Sequence, residues 1–317
     1  MYVIRFISHK LLTFLLFFCL VIGEIDAGNN TQNYSRELSS RIVGGKTVDS
    51  TRYPYFAKIT IVTKDKRFQC GGTLIHPDIV MTAAHCYQGI LDSGFSILRV
   101  NVVFGATTSS TGRTSYQYQR IANKMETHPN YDESTHSNDI VIMKLDQVVS
   151  QIAIPNLPKT GKTPGAGASV TTIGYGQTSE NGSFSSDLRS VQIKIMEYSD
   201  CNDSNSYSGR IKPDMMLCAG QEGGGKDSCS GDSGGPLIRE DDAAADDVIL
   251  GITSWGTGCA RPDKYGVYTK VSSYIQFIER AICKLSSKPP SSCNRSRNRE
   301  TSPTKAPMQR KLRKTSQ

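Results

Sequence analysis

The sequence predicts an all-β protein with one α-helix near its C-terminal end. Short strand-like runs recur at 57–62, 72–75, 100–104, 140–145, 169–173, 191–196, 248–252 and 267–271. Turn residues separate them at the spacing of a β sandwich or barrel. Helical spacing is convincing once, where Tyr274, Ile275, Ile278 and Ile282 follow Ser272 and Ser273. No internal repeat is apparent. Residues 42–283 therefore read as one large β domain or two small ones.

The two ends of the chain read differently from this body. Arg5, His9 and Lys10 precede a mostly apolar run at 11–22. That is the layout of a signal peptide over 1–23, too short to span a bilayer. Nothing later is apolar for long enough to span. Residues 24–41 form a polar stretch with little to bury. The last 34 residues, 284–317, hold ten Lys/Arg against the single acid Glu300, with many Ser and Pro. Such a segment buries too little apolar surface to offset its ordering entropy, so a disordered basic tail is expected.

The tail also explains the charge. The whole chain carries 37 basic and 29 acidic residues, a net +8. Without the tail, 27 basic face 28 acidic residues. A near-neutral body argues against nucleic acid as a partner.

Nine cysteines are present, and Cys19 lies in the leader. The remaining eight, behind a secretory leader, read as disulfides, although eight cysteines allow 105 pairings. Zinc is not expected, because the spacings do not suit it. Asn29, Asn33, Asn181, Asn202 and Asn294 each begin an Asn-x-Ser/Thr acceptor for glycans.

The segment Gly231-Asp232-Ser233-Gly234-Gly235-Pro236-Leu237 carries the chemistry. Glycines on both sides leave the Ser233 hydroxyl open to attack, and they allow backbone turns that aim N–H groups at a developing oxyanion. The segment also fits the Gly-x-Ser-x-Gly elbow of α/β-hydrolases, but those enzymes place their histidine after the serine. All five histidines here precede Ser233. His76 and His128 stand before prolines and read as turn residues; His136 sits among polar residues and reads as loop. His85 ends the apolar run 79–84 and adjoins Cys86. Asp139 opens the apolar stretch 139–143, where a carboxylate is costly without a partner. The order His85, Asp139, Ser233 is a known order for a base, its orienting carboxylate and a nucleophile.

With these segments in hand, the sequence resembles the trypsin-type members of the chymotrypsin family. The resemblance rests on Arg41-Ile42-Val43-Gly44-Gly45, Thr82-Ala83-Ala84-His85-Cys86, Asn138-Asp139-Ile140-Val141, the stretch from Asp227 to Pro236, and Ser254-Trp255-Gly256. It covers about residues 42–283.

The resemblance implies two antiparallel six-stranded β-barrels with the active site between them, and a secreted, monomeric serine endopeptidase. His85, Asp139 and Ser233 would be catalytic, with the amides of Gly231 and Ser233 as oxyanion hole. Asp227 would form the base of a pocket for Arg or Lys, with Gly256 and Gly266 as small wall residues. Ser254, Trp255 and Gly256 would pair with the substrate backbone. It further implies that 24–41 is an activation propeptide. Cleavage after Arg41 would free the amine of Ile42 to reach Asp232. The family pattern pairs Cys70 with Cys86, Cys201 with Cys218, and Cys229 with Cys259, and Cys283–Cys293 is a further guess. Partners would be peptides with Arg or Lys before the scissile bond, and protein inhibitors. No cofactor is expected. The stretch 105–120, where vertebrate trypsins hold calcium, lacks Asp and Glu, so no calcium is expected there. The acidic stretch 240–247 reads as a solvated loop.

Overall fold

In the computed structural model, residues 43–108 and 114–293 are described. The strands in chain order are β1 (Lys46–Thr47), β2 (Phe56–Thr63), β3 (Arg67–His76), β4 (Ile79–Thr82), β5 (Ile97–Phe104), β6 (Thr107–Thr108), β7 (Thr114–Ser115) and β8 (Tyr118–Thr127). There follow β9 (Val141–Leu145), β10 (Ser169–Gly174), β11 (Arg189–Ile195), β12 (Met216–Gly220), β13 (Pro236–Arg239), β14 (Val248–Trp255) and β15 (Gly266–Lys270). The helices are α1 (Gln88–Asp92), α2 (Tyr198–Cys201) and α3 (Ile275–Leu285).

Two closed antiparallel barrels result. The first runs β2-β3-β4-β9-β8-β5 back to β2. The second runs β11-β10-β13-β14-β15-β12 and closes through β11–β12, with β1 added at the edge of β11. The residues select this arrangement by alternation. In β2, Ala57, Ile59 and Ile61 are fully buried while Lys58 and Thr60 are partly exposed. Successive side chains of a strand point to opposite faces, so a period of two fills the barrel interior from one face only. Each such isoleucine contributes about 1.5–3 kcal/mol of burial. β9, by contrast, is nearly all buried, because α3 covers the face that the barrel interior leaves over.

All eight runs read from the sequence fall on observed strands. The helix starts slightly later than expected. A 3₁₀ turn over Val271–Ser273 precedes α3, which buries Ile275, Phe277, Ile278, Ala281 and Ile282 along one stripe.

Three expectations are corrected. The helix continues through Leu285, past the expected start of the tail at 284. Beyond it, Ser286 Oγ and the N–H and Oγ of Ser287 donate to the buried carboxylate of Asp78 at 2.8, 2.8 and 2.6 Å, and Lys144 Nζ adds an ion pair at 2.8 Å. Cys283 and Cys293 are bonded, and Cys293 is buried. The chain thus stays attached to the first barrel through 293. Second, the acidic stretch 240–247 is not simply solvated. Asp247 is fully buried, takes Arg52 in a two-pronged ion pair at 2.7 and 2.9 Å, and accepts the Tyr55 hydroxyl at 2.5 Å. A buried carboxylate needs such partners. Third, His128 is more than a turn residue, since its ring packs edge-on between Tyr274 and Phe277 of the C-terminal segment.

Candidate active site

β4 feeds directly into a 3₁₀ turn over Ala84–Cys86 that presents His85. The Cys70–Cys86 disulfide ties this turn to β3. Asp139 stands two residues before β9 and is fully buried. Its Oδ1 accepts the backbone N–H of His85 at 2.8 Å, and its Oδ2 lies 2.8 Å from His85 Nδ1. Ser254 Oγ donates to Oδ2 at 2.5 Å. Asp139 therefore fixes the imidazole with Nδ1 as donor, which leaves Nε2 as the nitrogen able to accept a proton.

Burial opposes charge on both partners, and their mutual attraction overrides it. His85 consequently titrates above the usual imidazole value, held up by the Asp139 charge and hydrogen bond. Asp139 titrates below the usual carboxylate value because His85 and Ser254 bond it.

Ser233 belongs to the second barrel and is positioned by the first. Its carbonyl accepts the N–H of Gly71 in β3 at 2.7 Å. The barrels approach so closely here that a Cβ on Gly234 (φ +79°) would lie 2.0 Å from Thr82 Oγ1. Only glycine fits both the space and the left-handed backbone. Gly231 is also left-handed, at φ +92°. Among the described residues, the N–H groups of Gly231 and Ser233 donate no hydrogen bond. Two free donors beside a hydroxyl can hold an oxyanion.

Asp232 is buried under this turn. Its carboxylate accepts only backbone donors, Gly176 N–H at 2.7 Å and Cys229 N–H at 2.9 Å. Burial pushes its pKa up to about 6. No cation pairs with it among the described residues. Arg41 and Ile42 lie outside them.

A cavity of about 140 Å³ opens next to Ser233, lined by Asp227, Ser228, Cys229, Trp255, Gly256 and Gly266, among others. Asp227 is 4% exposed. Its Oδ2 accepts the Ala260 N–H at 3.0 Å, while Oδ1 is buried with no hydrogen-bond partner. Burial pushes its pKa up to about 7. A Cβ on Gly266 would stand 2.8 Å from that free oxygen, so a larger residue would close the cavity floor. The Cys229–Cys259 disulfide bridges two of the lining segments, and Cys201–Cys218 braces α2 against β12.

The folded chain also assembles residues that the sequence left apart. The ring of His136 lies 5.8 Å from that of His85 and 6.4 Å from Trp255. Tyr207 packs on Trp255 at 4.7 Å, and the Arg210 guanidinium lies 4.6 Å over the same indole. Phe184, 54% exposed, stands against Gly231. No local pattern marks these positions, because they come from three different loops, Tyr207 and Arg210 sharing the one between α2 and β12. Among the described residues, one grouping of three metal-ligating types occurs, Cys70, His85 and Cys86. Both sulfurs are in a disulfide, so neither is a thiolate ligand.

A two-barrel β protein with a histidine–carboxylate pair on one barrel, and a glycine-flanked serine turn of the other packed against Gly71 and Cys86 beside it, fits one class, the serine-type endopeptidases. Comparison with known proteins agrees. The model of the family described as Trypsin matches residues 42–278. Trypsin of Sus scrofa is 35% identical over 246 residues, covering 76% of this chain and 96% of the pig protein. Trypsin of Saccharopolyspora erythraea is 32% identical, covering 76% and 98%. Kallikrein 1-related peptidase b21 of Mus musculus is 32% identical, covering 85% and 98%. The chain belongs to the trypsin family and is a serine protease acting on peptide substrates. Among the described residues, no helix is long and apolar enough to cross a membrane.

Proposed function

We propose that the chain is a secreted endopeptidase that cleaves after Arg or Lys and is made as a zymogen. The observation that carries the specificity is the lone Asp227 oxygen at the floor of the cavity. A buried acceptor without a partner invites a cation long enough to reach it. An apolar side chain would leave it unpaired at a cost of about 1–3 kcal/mol.

Ser233 Oγ attacks the scissile carbonyl as His85 Nε2 takes its proton. The carbonyl oxygen, now negative, is received by the N–H groups of Gly231 and Ser233. His85 then gives the proton to the leaving amine, and the acyl group rests on Ser233. Water enters, loses a proton to His85 and attacks the ester; the bond to Ser233 Oγ breaks, His85 returns the proton to that oxygen, and the new carboxyl end of the peptide leaves. Asp139 holds the imidazole in one tautomer throughout and stabilises its cation. Ser254, Trp255 and Gly256 align the substrate backbone along the end of β14.

Activation follows from Asp232. A carboxylate buried among amides is stabilised by a cation. Cleavage after Arg41 creates one at Ile42. Val43, the next residue, already lies against the cavity, its carbonyl accepting the Asp227 N–H at 3.3 Å. The leader 1–23, the propeptide 24–41 and the tail beyond 293 belong to the same reading. Arg41 is itself an Arg site, so the enzyme activates its own precursor.

The test uses protein cut at Arg41 and paired chromogenic peptides with Arg, Lys, Phe or Ala before the scissile bond. Turnover confined to Arg and Lys, and lost in Ser233→Ala, is expected. Turnover of the Phe peptide alone would sink the specificity. A Ser233→Ala precursor processed as fast as the wild type would sink self-activation.

A further inference from the structure

We propose that Arg210, mounted on Trp255, forms a subsite that selects an acidic side chain two or three residues upstream of the one held over Asp227. The inference rests on the reading above, that a peptide lies along Ser254, Trp255 and Gly256 with its basic residue in the cavity.

The Arg210 guanidinium lies 4.6 Å from the centre of the Trp255 ring, well within the range of cation–π attraction. Arg210 is exposed, and it pairs with no carboxylate among the described residues. Its charge therefore faces the open cleft uncompensated. Trp255 is itself held, since Tyr207 packs edge-on at 4.7 Å and the Tyr207 hydroxyl donates to the Tyr265 carbonyl at 2.6 Å. An arginine laid on a fixed ring has already lost much of its side-chain freedom, so less is lost when it meets a ligand.

The position follows from chain geometry. Trp255 lines the cavity together with Asp227 and Ser233. An extended peptide rises about 3.3 Å per residue. Two or three residues upstream of the cavity, it has advanced roughly 7–10 Å, past the indole and onto the guanidinium. The ring of His136 adjoins both Trp255 and His85. Burial holds its pKa down, so near neutrality it is an uncharged wall.

Lys212 Nζ bonds Ser137 Oγ at 2.6 Å, beside His136, and adds a second cation to the same wall. Lys264 lies 5.7 Å over the Tyr207 ring, its ammonium donating to the carbonyls of Asn205 and Ser206 at 2.6 and 2.7 Å. Asp139 is committed to His85. Asp139 and, more weakly, Glu133 are the carboxylates felt at His136, opposed there by the charges of His85 and Arg210.

The experiment measures kcat/KM on fluorogenic tetrapeptides ending in Arg, with Asp, Glu, Ala or Lys placed one at a time at each upstream position. The enzyme is the full chain cut at Arg41, alongside Arg210→Glu and Arg210→Gln. In the wild type, Asp should exceed Lys by about tenfold at the third or fourth position counted back from the scissile bond, falling toward parity in about 1 M salt. Arg210→Glu should invert the ratio, and Arg210→Gln should bring it near one. The ratio within one enzyme is the readout, so a variant's overall activity does not enter. Parity in the wild type at low salt, or a preference unchanged in Arg210→Glu, would overturn the subsite. Arg peptides cleaved without acidic preference would leave the Asp227 reading standing. Failure to cleave any Arg peptide would sink both.

Discussion

Ser254 donates its hydroxyl hydrogen to Asp139 Oδ2 at 2.5 Å, across the junction of the two barrels. A residue expected only at the substrate edge thus also holds the carboxylate that orients His85. Thr269 of β15 adds a bond to the Asp139 carbonyl at 2.9 Å. The second barrel therefore grips the same residue at side chain and backbone.

Removing that grip should slow the chemistry. A hydrogen bond to a charged group is worth about 1.5–3 kcal/mol. If roughly half is felt in the transition state, Ser254→Ala lowers kcat about tenfold. Ser254→Thr keeps the hydroxyl and should recover most of the loss. Steady-state kinetics on an Arg peptide, with urea unfolding as control, check this.

Acid should weaken the enzyme in two ways. His85 acts as base only when neutral, and the Asp139 charge holds its pKa above the ordinary value. Asp227 receives a cation only when ionised, and burial sets its pKa at about 7. Both deprotonated forms are lost as pH falls. On Arg peptides, kcat/KM should drop below neutrality more steeply than one decade per unit, whereas kcat should follow His85 alone. A single-group limb in both would remove Asp227 from the pocket.

The raised pKa of Asp227 also sets a stability trend. Its folded value of about 7 lies above the ordinary carboxylate value of 3.8, so its contribution is full below about 4 and lost as pH rises through 7. Asp232, pushed up to about 6, acts in the same sense. A small guanidinium ligand needs the ionised form of Asp227. Such a ligand should therefore raise the Tm more at pH 8 than at pH 5.5, by calorimetry.

Asp227→Ser should abolish cleavage after Arg and Lys while sparing the acyl-transfer machinery. The loss should exceed about 10³-fold in kcat/KM, since a cation would enter a cavity with no charge to meet it. Active-site titration with a reactive ester would verify that Ser233 still acylates.

Asp78 anchors the segment after α3 through Ser286 and Ser287, and its charge is paired with Lys144 of β9. Burial opposes its charge, but those bonds hold its pKa below the usual carboxylate range. Its stabilisation is therefore present above about pH 4 and fades as pH falls further. Asp78→Asn leaves Lys144 without its carboxylate and should cost about 3–5 kcal/mol in urea unfolding at pH 7.

Much of this was legible in the chain. The alternation Phe56-Ala57-Lys58-Ile59-Thr60-Ile61 can be read as a strand because period two is a local property. Ser233 among glycines, and His85 and Asp139 beside apolar runs, were legible because each departs from its local background. Among the strands longer than two residues, β4, β8, β12 and β13 were missed. β8 mixes exposed Lys124 with exposed Ile121, and β13 is only four residues long.

The sequence by itself determined the strand faces, the helix stripe and the residue types available for acyl transfer, since those depend on neighbours within a few positions. Only the tertiary structure decided which groups share a charge or a surface. Asp139 meets Ser254 across 115 positions, and Asp247 meets Arg52 across 195. Arg210 comes to lie on Trp255, with His136 beside it. Such pairings are set by barrel closure, which carries no local signature, and burial then makes each unpaired charge costly enough to select its partner.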